Sequence, residues 1–234
     1  MEAVASHTDG APAKQLARET GLPLPTAYHL LRTLAHEGYL RRENGMFLFG
    51  EAVLRLAAGG AQQNRCSAIE DFLERWRDVL GVPVYFAVYR EGEIELVAVA
   101  DSPYAPALSG RPDIRETGHA HALGQCLLSQ LDERGRKDHL DRYPVQAITP
   151  YTVRDRRTLL ERLGGLGRMQ PVVERQEYAL GTVCAAIPVA AGPMAAALAI
   201  SVPLHQEDRL LPAVEQLRLG VESLLNPFAF SISI

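Results

Sequence analysis

The sequence predicts an α/β (α+β) chain of two unequal domains, a small winged helix-turn-helix followed by a larger domain of alternating strands and helices. Three observations carry that reading. Two short helical periods meet at Gly21 and are followed by a hairpin about Asn44-Gly45; a small, uncharged, glycine-containing stretch, Ala57 to Gln63, breaks the pattern; and strand-like runs from Val82 to Tyr89 and Ile94 to Ala100 open a region of mixed elements. The expected division is a head over residues 1–58, a linker over 59–68 and a second domain over 69–234.

In the head, Leu16 and Ala17 lie on a short helix that starts near Pro12 and stops at Gly21. Gly21 supplies a backbone conformation that residues bearing a side chain resist. From Pro25, the residues Ala27, Leu30, Leu31 and Leu34 recur at the spacing of one buried helix face, and proline suits a first helical turn, where its missing N–H costs nothing. A second helix so placed is the one that enters a major groove. Tyr28, His29, Arg32, Thr33 and His36 lie outside its apolar stripe and are candidates for the DNA-facing side. Asn44-Gly45 is the dipeptide that most readily turns a two-residue hairpin, and Arg41 and Arg42 place positive charge on the wing, within reach of phosphates or a minor groove.

Charge qualifies this reading. The whole chain of 234 residues has 24 basic and 28 acidic side chains, and residues 1–58 hold six of each, so no general attraction to phosphate is expected. Any DNA contact rests on where Arg32, Arg41 and Arg42 stand. The 47% hydrophobic content excludes a disordered chain. Cys66, Cys126 and Cys184 follow neither a disulfide nor a metal spacing, and with no signal segment at the amino terminus a reducing cytoplasm is expected. The uncharged stretch from Tyr178 to His205 is interrupted by Pro188, Gly192, Pro193 and Pro203, and reads as two buried strands and a turn, not a membrane span.

Three segments bear a family resemblance: Leu16-Ala17-Arg18-Glu19-Thr20-Gly21 with Thr26-Ala27-Tyr28-His29-Leu30-Leu31-Arg32; Gly118-His119-Ala120-His121-Ala122-Leu123-Gly124; and Gln176-Glu177-Tyr178-Ala179-Leu180-Gly181-Thr182-Val183-Cys184, with Ala196 to Ser201 after it. In this order they resemble the IclR family of bacterial transcriptional regulators over nearly the whole chain. The resemblance implies a GAF-like effector-binding domain with a central antiparallel sheet, a homodimer or dimer of dimers on a double-stranded operator, a small-molecule effector, and neither catalysis nor a cofactor. Carried over by position, the recognition-helix threonine is Thr26, and the effector pocket takes Leu108, Ala122, Leu123, Glu174, Thr182, Cys184, Ala199 and Ser201. Leu24, Pro25 and His29 stand where the family commonly has a polar residue, a serine and an arginine, so the phosphate and base contacts differ here. Residues 1–6 look like the end of the family's first helix.

Other chemistry was weighed. His119 and His121 have the spacing of two metal ligands on a strand, but they precede a helix and no completing set is visible. No nucleophile elbow surrounds any serine, and Gly164-Gly165-Leu166-Gly167 follows a helix instead of opening one, which argues against a phosphate cradle. Arg154 to Arg157 with Arg162 and Arg168 reads as solvated surface, the helix from Glu207 to Leu225 as core, and the apolar end from Asn226 as a segment that docks on a partner subunit or is buried against its own domain. Parity places Thr182 and Cys184 over one cavity, with no basic residue expected near it. A sensing module without DNA binding and an enzyme using the same pocket are the alternative readings.

Overall fold

The computed structural model describes residues 1–107, 114–167, 170–191 and 194–229, which form two compact units, Met1–Asn64 and Arg65–Ile234. In the first, α1 (Glu2–Ala5) and β1 (Ala11–Pro12) precede α2 (Ala13–Thr20) and α3 (Leu24–His36), and a hairpin of β2 (Leu40–Glu43) and β3 (Met46–Phe49) follows. Gly21 caps α2 at φ +69°. Asn44 and Gly45 have φ of +50° and +83°, the pair of positive values that a two-residue turn of matching twist requires. The hairpin pairs Arg41 with Leu48 and Arg42 with Phe47, and β1 extends the sheet along β3.

Leu16, Leu31, Leu40 and Phe47 make the core of this unit with Val4. Leu30 does not join them. The periodicity placed it on the buried face of α3, yet it is 46% exposed while Ala27 and Leu31 are buried. So small a unit has apolar surface to cover only a narrow stripe of the helix.

The expected linker is not irregular. Residues 59–68 lie inside α4 (Glu51–Leu80), one helix of 30 residues. Gly59 and Gly60 each cost about 1 kcal/mol relative to alanine in a helix; the alanines, leucines and glutamines around them are good helix formers, and the boundary between the two units falls within the helix.

The second unit is built on a sheet of β4 (Val84–Arg90), β5 (Glu93–Ala100), β6 (Val172–Arg175), β7 (Thr182–Ala191) and β8 (Met194–Pro203), in the order β5-β4-β8-β7-β6 with every neighbour antiparallel. Between β5 and β6 come α5 (Ile114–Thr117), α6 (Ala122–Ser129), α7 (Glu133–Arg142) and α8 (Arg156–Gly165), and α9 (Leu210–Ala229) follows a tight 3₁₀ segment, Leu204–Arg209. Asp132 and Asp155 cap α7 and α8 by accepting from Gly135 and Thr158 N–H. Strand parity sorts the layers. Val84, Phe86, Val183, Ala185, Leu198 and Ile200 face the carboxy-terminal half of α4 and α9; Ala87, Cys184, Ala186, Ala197 and Ala199 face α6 and α8. The small residues of the second face leave room that the leucines and valines of the first do not.

The last helix starts at Leu210 and not at Glu207, because the 3₁₀ segment takes up the preceding turn. Asn226 to Ala229, expected as a docked or buried segment, continue α9; residues 230–234 lie outside the described residues.

Candidate functional site

All eight head residues singled out from the sequence, His36 among them, are exposed. A hollow of about 710 Å³ gathers Tyr28, His29 and Arg32 of α3 with Arg42 and Phe47 of the wing. Arg42 sits over the Phe47 ring, 5.7 Å from its centre, a placement that steadies the guanidinium while leaving its edge free. Arg41 points elsewhere: it pairs with Glu43 at 3.1 Å and borders a separate hollow with His7 and Leu48. Neighbouring strand residues face opposite ways, so only one wing arginine can share the hollow with α3. Thr33 spends its hydroxyl on the His29 carbonyl at 3.1 Å, and Thr26, although exposed, is outside the hollow. Glu19 pairs with His7 at 2.9 Å, and hydrogen bonds from His7 and then Gln15 hold its carboxyl below the usual range.

In the second unit a cavity lies between the small-residue face of the sheet and α6, with about 480 Å³ of empty space, part of it open to solvent. Ala122, Leu123, Cys184, Ala199 and Ser201 line it, five of the residues proposed from the sequence. Three do not. Glu174 is behind the wall, opposite Cys184 in the β6–β7 ladder. Thr182, two residues before Cys184 on β7, has the right parity but lies one step further out, where it borders a second, outer cleft; parity fixes a face and not a depth. Leu108 lies outside the described residues.

Sequence reasoning missed Tyr85, Leu96, Ile114 and Tyr178, and considered His121 only as a metal ligand. Tyr85 was legible, because the alternation that sends Val84 and Phe86 to one core sends Tyr85 to the other face. Tyr178 was not, since it comes from the loop before β7. Its ring stacks on His121, centroids 3.7 Å apart, and His121 Nε2 is 3.0 Å from Thr117 Oγ1. Burial, aided by His119, pulls the His121 pKa down to about 3, so its ring is neutral. His119 Nε2 lies 2.9 Å from the Gln146 carbonyl. Among the described residues no group of three metal-ligating side chains occurs.

Polar groups on the cavity floor form a ladder. Cys184 pairs in register with Glu174 on one side and Ser201 on the other, and the Ser201 hydroxyl shares a 3.2 Å hydrogen bond with Tyr85. Burial pushes the Glu174 carboxyl up to about 7, against the pull of Cys184 and of the Glu177 N–H it accepts at 2.8 Å. The Cys184 thiol is held well above its ordinary value by burial and then by that carboxyl, so it is not a nucleophile at neutral pH. Arg162, expected as plain surface, donates at 2.6 Å to the buried Glu177, which also accepts from Gln125 at 3.2 Å. Arg156 and Arg157 pair with Asp141 and Glu161 at the surface; Arg168 lies outside the described residues.

An exposed helix-and-wing face joined in one chain to an α/β domain with an internal apolar cavity defines a one-component sensor-regulator. Residues 1–44 match the IclR helix-turn-helix domain, and residues 62–218 match the bacterial transcriptional regulator IclR C-terminal domain. The chain belongs to the IclR family. It is 29% identical over 181 residues to the p-hydroxybenzoate hydroxylase transcriptional activator of Acinetobacter baylyi, covering 75% of this chain and 67% of that protein. The transcriptional repressor IclR of Escherichia coli is 24% identical over 191 residues, covering 80% and 70%. Among solved structures, an IclR homolog from Microbacterium hydrocarbonoxydans complexed with 4-hydroxybenzoate matches 98% of this chain and 97% of its own with a TM-score of 0.62 and 24% identity. No described helix is long and apolar enough to cross a membrane.

Proposed function

We propose that this chain is an effector-responsive transcription regulator whose head reads a double-stranded operator as part of a symmetric homo-oligomer, and whose cavity takes a small organic molecule that changes operator affinity. The observation that carries the reading is the cavity itself: apolar walls, two small strand faces and a few polar groups at one end are the usual make-up of a small-ligand site. The naming of an Acinetobacter relative for p-hydroxybenzoate hydroxylase, and a 4-hydroxybenzoate complex in a structural neighbour, support an organic ligand of that size. On the DNA side the readers are Tyr28, His29 and Arg32 on the helix, with Arg42 on the wing and Thr26, Thr33 and Arg41 toward flanking phosphates. No catalytic role is assigned: among the described residues the one thiol in the cavity wall, Cys184, is held protonated.

One helix and one wing offer too few contacts for selectivity, so two half-sites about one helical turn apart are expected. Fluorescence anisotropy with DNA from the chain's own promoter region, on a palindrome and on a single half-site, tests this. The palindrome should bind at least tenfold tighter; equal binding removes the oligomeric part. A second reading, a sensor without operator binding, is favoured by the balanced charge of residues 1–58, and absence of any sequence-dependent binding in the same titration would establish it.

A further inference from the structure

Tyr178 enters the cavity wall from the loop over residues 176–181, between β6 and β7. Its ring is half-buried and stacked on His121, and Leu180 beside it is 62% exposed, so Tyr178 stands between the cavity and solvent. Burial alone raises its hydroxyl above the ordinary value, and among the described residues that hydroxyl is in no hydrogen bond. The ring is held by whatever fixes the backbone next to it.

Glu177 supplies that fixation. It is buried, and all its polar groups are bonded: its N–H donates to Glu174 Oε2 at 2.8 Å, and its carbonyl accepts from Thr152 Oγ1 at 2.5 Å and Thr149 Oγ1 at 3.2 Å. Its Oε1 accepts from Arg162 Nη1 at 2.6 Å and its Oε2 from Gln125 Nε2 at 3.2 Å. These partners come from β6, the loop before α8, α8 and α6. Gln176, one residue earlier, has φ +57°, a left-handed conformation that a residue bearing a side chain keeps only when its surroundings over-determine it. Its N–H donates to the Thr182 carbonyl at 2.9 Å, its Oε1 accepts from the Gly181 N–H at 2.9 Å, and its carbonyl accepts from Thr149 Oγ1 at 2.7 Å.

A buried ion pair and a left-handed glutamine are each unfavourable in themselves, and apolar packing would hold a surface loop at lower cost. Both stand immediately before the residue whose ring faces the cavity. Helix α6, which gives the cavity Ala122 and Leu123, also gives Gln125 to Glu177, so the clamp ties the loop to the helix that forms another wall.

We propose that Glu177 is a positioning residue for the cavity: pinned by Arg162 and Gln125, it holds Tyr178 on His121 and keeps the cavity closed on that side. This rests on the reading of the cavity as the effector site and names a residue that shapes it from outside its lining. Arg162 is the point of release, because its side chain is 39% exposed and that of Glu177 only 9%.

The test uses the full chain without ligand, so it decides the positioning whether or not the cavity proves to be the effector site. In protein carrying isotope-labelled histidine, the ring signal of His121, identified by its loss in His121→Asn, reports the stacked tyrosine through its ring-current shift. Tyr178→Ala gives the unstacked position. Glu177→Gln and Arg162→Ala should each move the signal at least halfway there, and Arg162→Lys should leave it near wild type. Alkylation of Cys184, in the cavity wall, by iodoacetamide should run about tenfold faster in Arg162→Ala, the effect of losing one charge-assisted hydrogen bond from a partly exposed cation. Because the pair acts through Tyr178, that acceleration should vanish when Arg162→Ala is added to Tyr178→Ala. A His121 signal unmoved in folded Arg162→Ala overturns the assignment. So does an acceleration of equal size in the Tyr178→Ala background, which would make the clamp a general brace. Should Glu177→Gln fail to fold, Arg162→Ala, at the partly exposed end of the pair, still decides.

Discussion

The two candidate sites of this chain are built on opposite principles. In the head, Tyr28, His29, Arg32 and Arg42 are exposed and drawn together by one helix and one wing, and among the described residues neither Arg32 nor Arg42 is in an ion pair. In the second unit the functional face is buried, His121 and Glu174 are displaced from their ordinary values, and the Tyr85 and Ser201 hydroxyls share a hydrogen bond. A surface that recognises a polyanion must keep its cations solvated, while a cavity that recognises a small body must be dry enough for shape and a few hydrogen bonds to count. The contrast predicts that changes in the cavity act all-or-none and changes in the head act by degrees.

The sharpest way to break the comparison is Cys184→Trp. Cys184 is in the cavity wall between Glu174 and Ser201, and an indole there fills the space the effector needs. Loss of the effector response altogether is expected, with operator binding in the absence of effector within a few-fold of wild type, read by anisotropy on protein whose unfolding transition remains cooperative. A folded variant that responds fully places the effector elsewhere.

Next in size is a pH effect. Glu174 titrates near 4.5 when unfolded and at about 7 in the fold, with burial as the main cause and Cys184, Glu177 and Tyr178 as the groups facing it. A carboxyl that holds its proton more tightly in the native state contributes stability that is full below pH 4.5 and is lost as pH rises through 7, a total on the order of 3 kcal/mol. Glu174→Gln should flatten that part of the curve, so that between pH 5 and 8 the variant loses roughly 2 kcal/mol less in urea unfolding than wild type does. Parallel curves would mean that the carboxyl is not the buried titrating group.

How far the sequence reached follows the same divide. Helices, wing and strands were legible because each has local punctuation: Gly21, Asn44-Gly45, Asp155, and the strict alternation through β7 and β8. Ala122, Leu123, Cys184, Ala199 and Ser201 came from the family resemblance, and parity alone links Cys184 to Thr182 and Ser201 to Ala199. What escaped depends on distance in three dimensions. Thr182 has the parity of Cys184 but borders the outer cleft, and Tyr178 arrives from the loop before β7. Helix continuity through Gly59-Gly60 was hidden because glycine pairs mark a break in most contexts and only the surrounding helix formers outweigh them here.

In the head the larger effect belongs to Arg32. It lines the hollow from α3, the helix placed to meet base edges, and one bidentate contact to a base discriminates by about 1–3 kcal/mol. Arg32→Ala should therefore narrow the gap between operator and scrambled DNA roughly tenfold or more, in competition anisotropy. An unchanged ratio would put sequence reading on Tyr28 and His29.

Arg42 should give the smallest and most diagnostic change. Its guanidinium is held over the Phe47 ring of the wing and not on the recognition helix, a placement expected to meet a phosphate and not a base. A phosphate contact carries no sequence information but releases a counterion, so Arg42→Ala should weaken operator and scrambled DNA alike and lower the slope of log K against log salt by about one unit per subunit. Arg41, already tied to Glu43, should give a smaller slope change when replaced by alanine. If Arg41→Ala lowers the slope as much as Arg42→Ala, the wing turns its other face to the DNA, and the hollow shared with α3 is not the recognition surface.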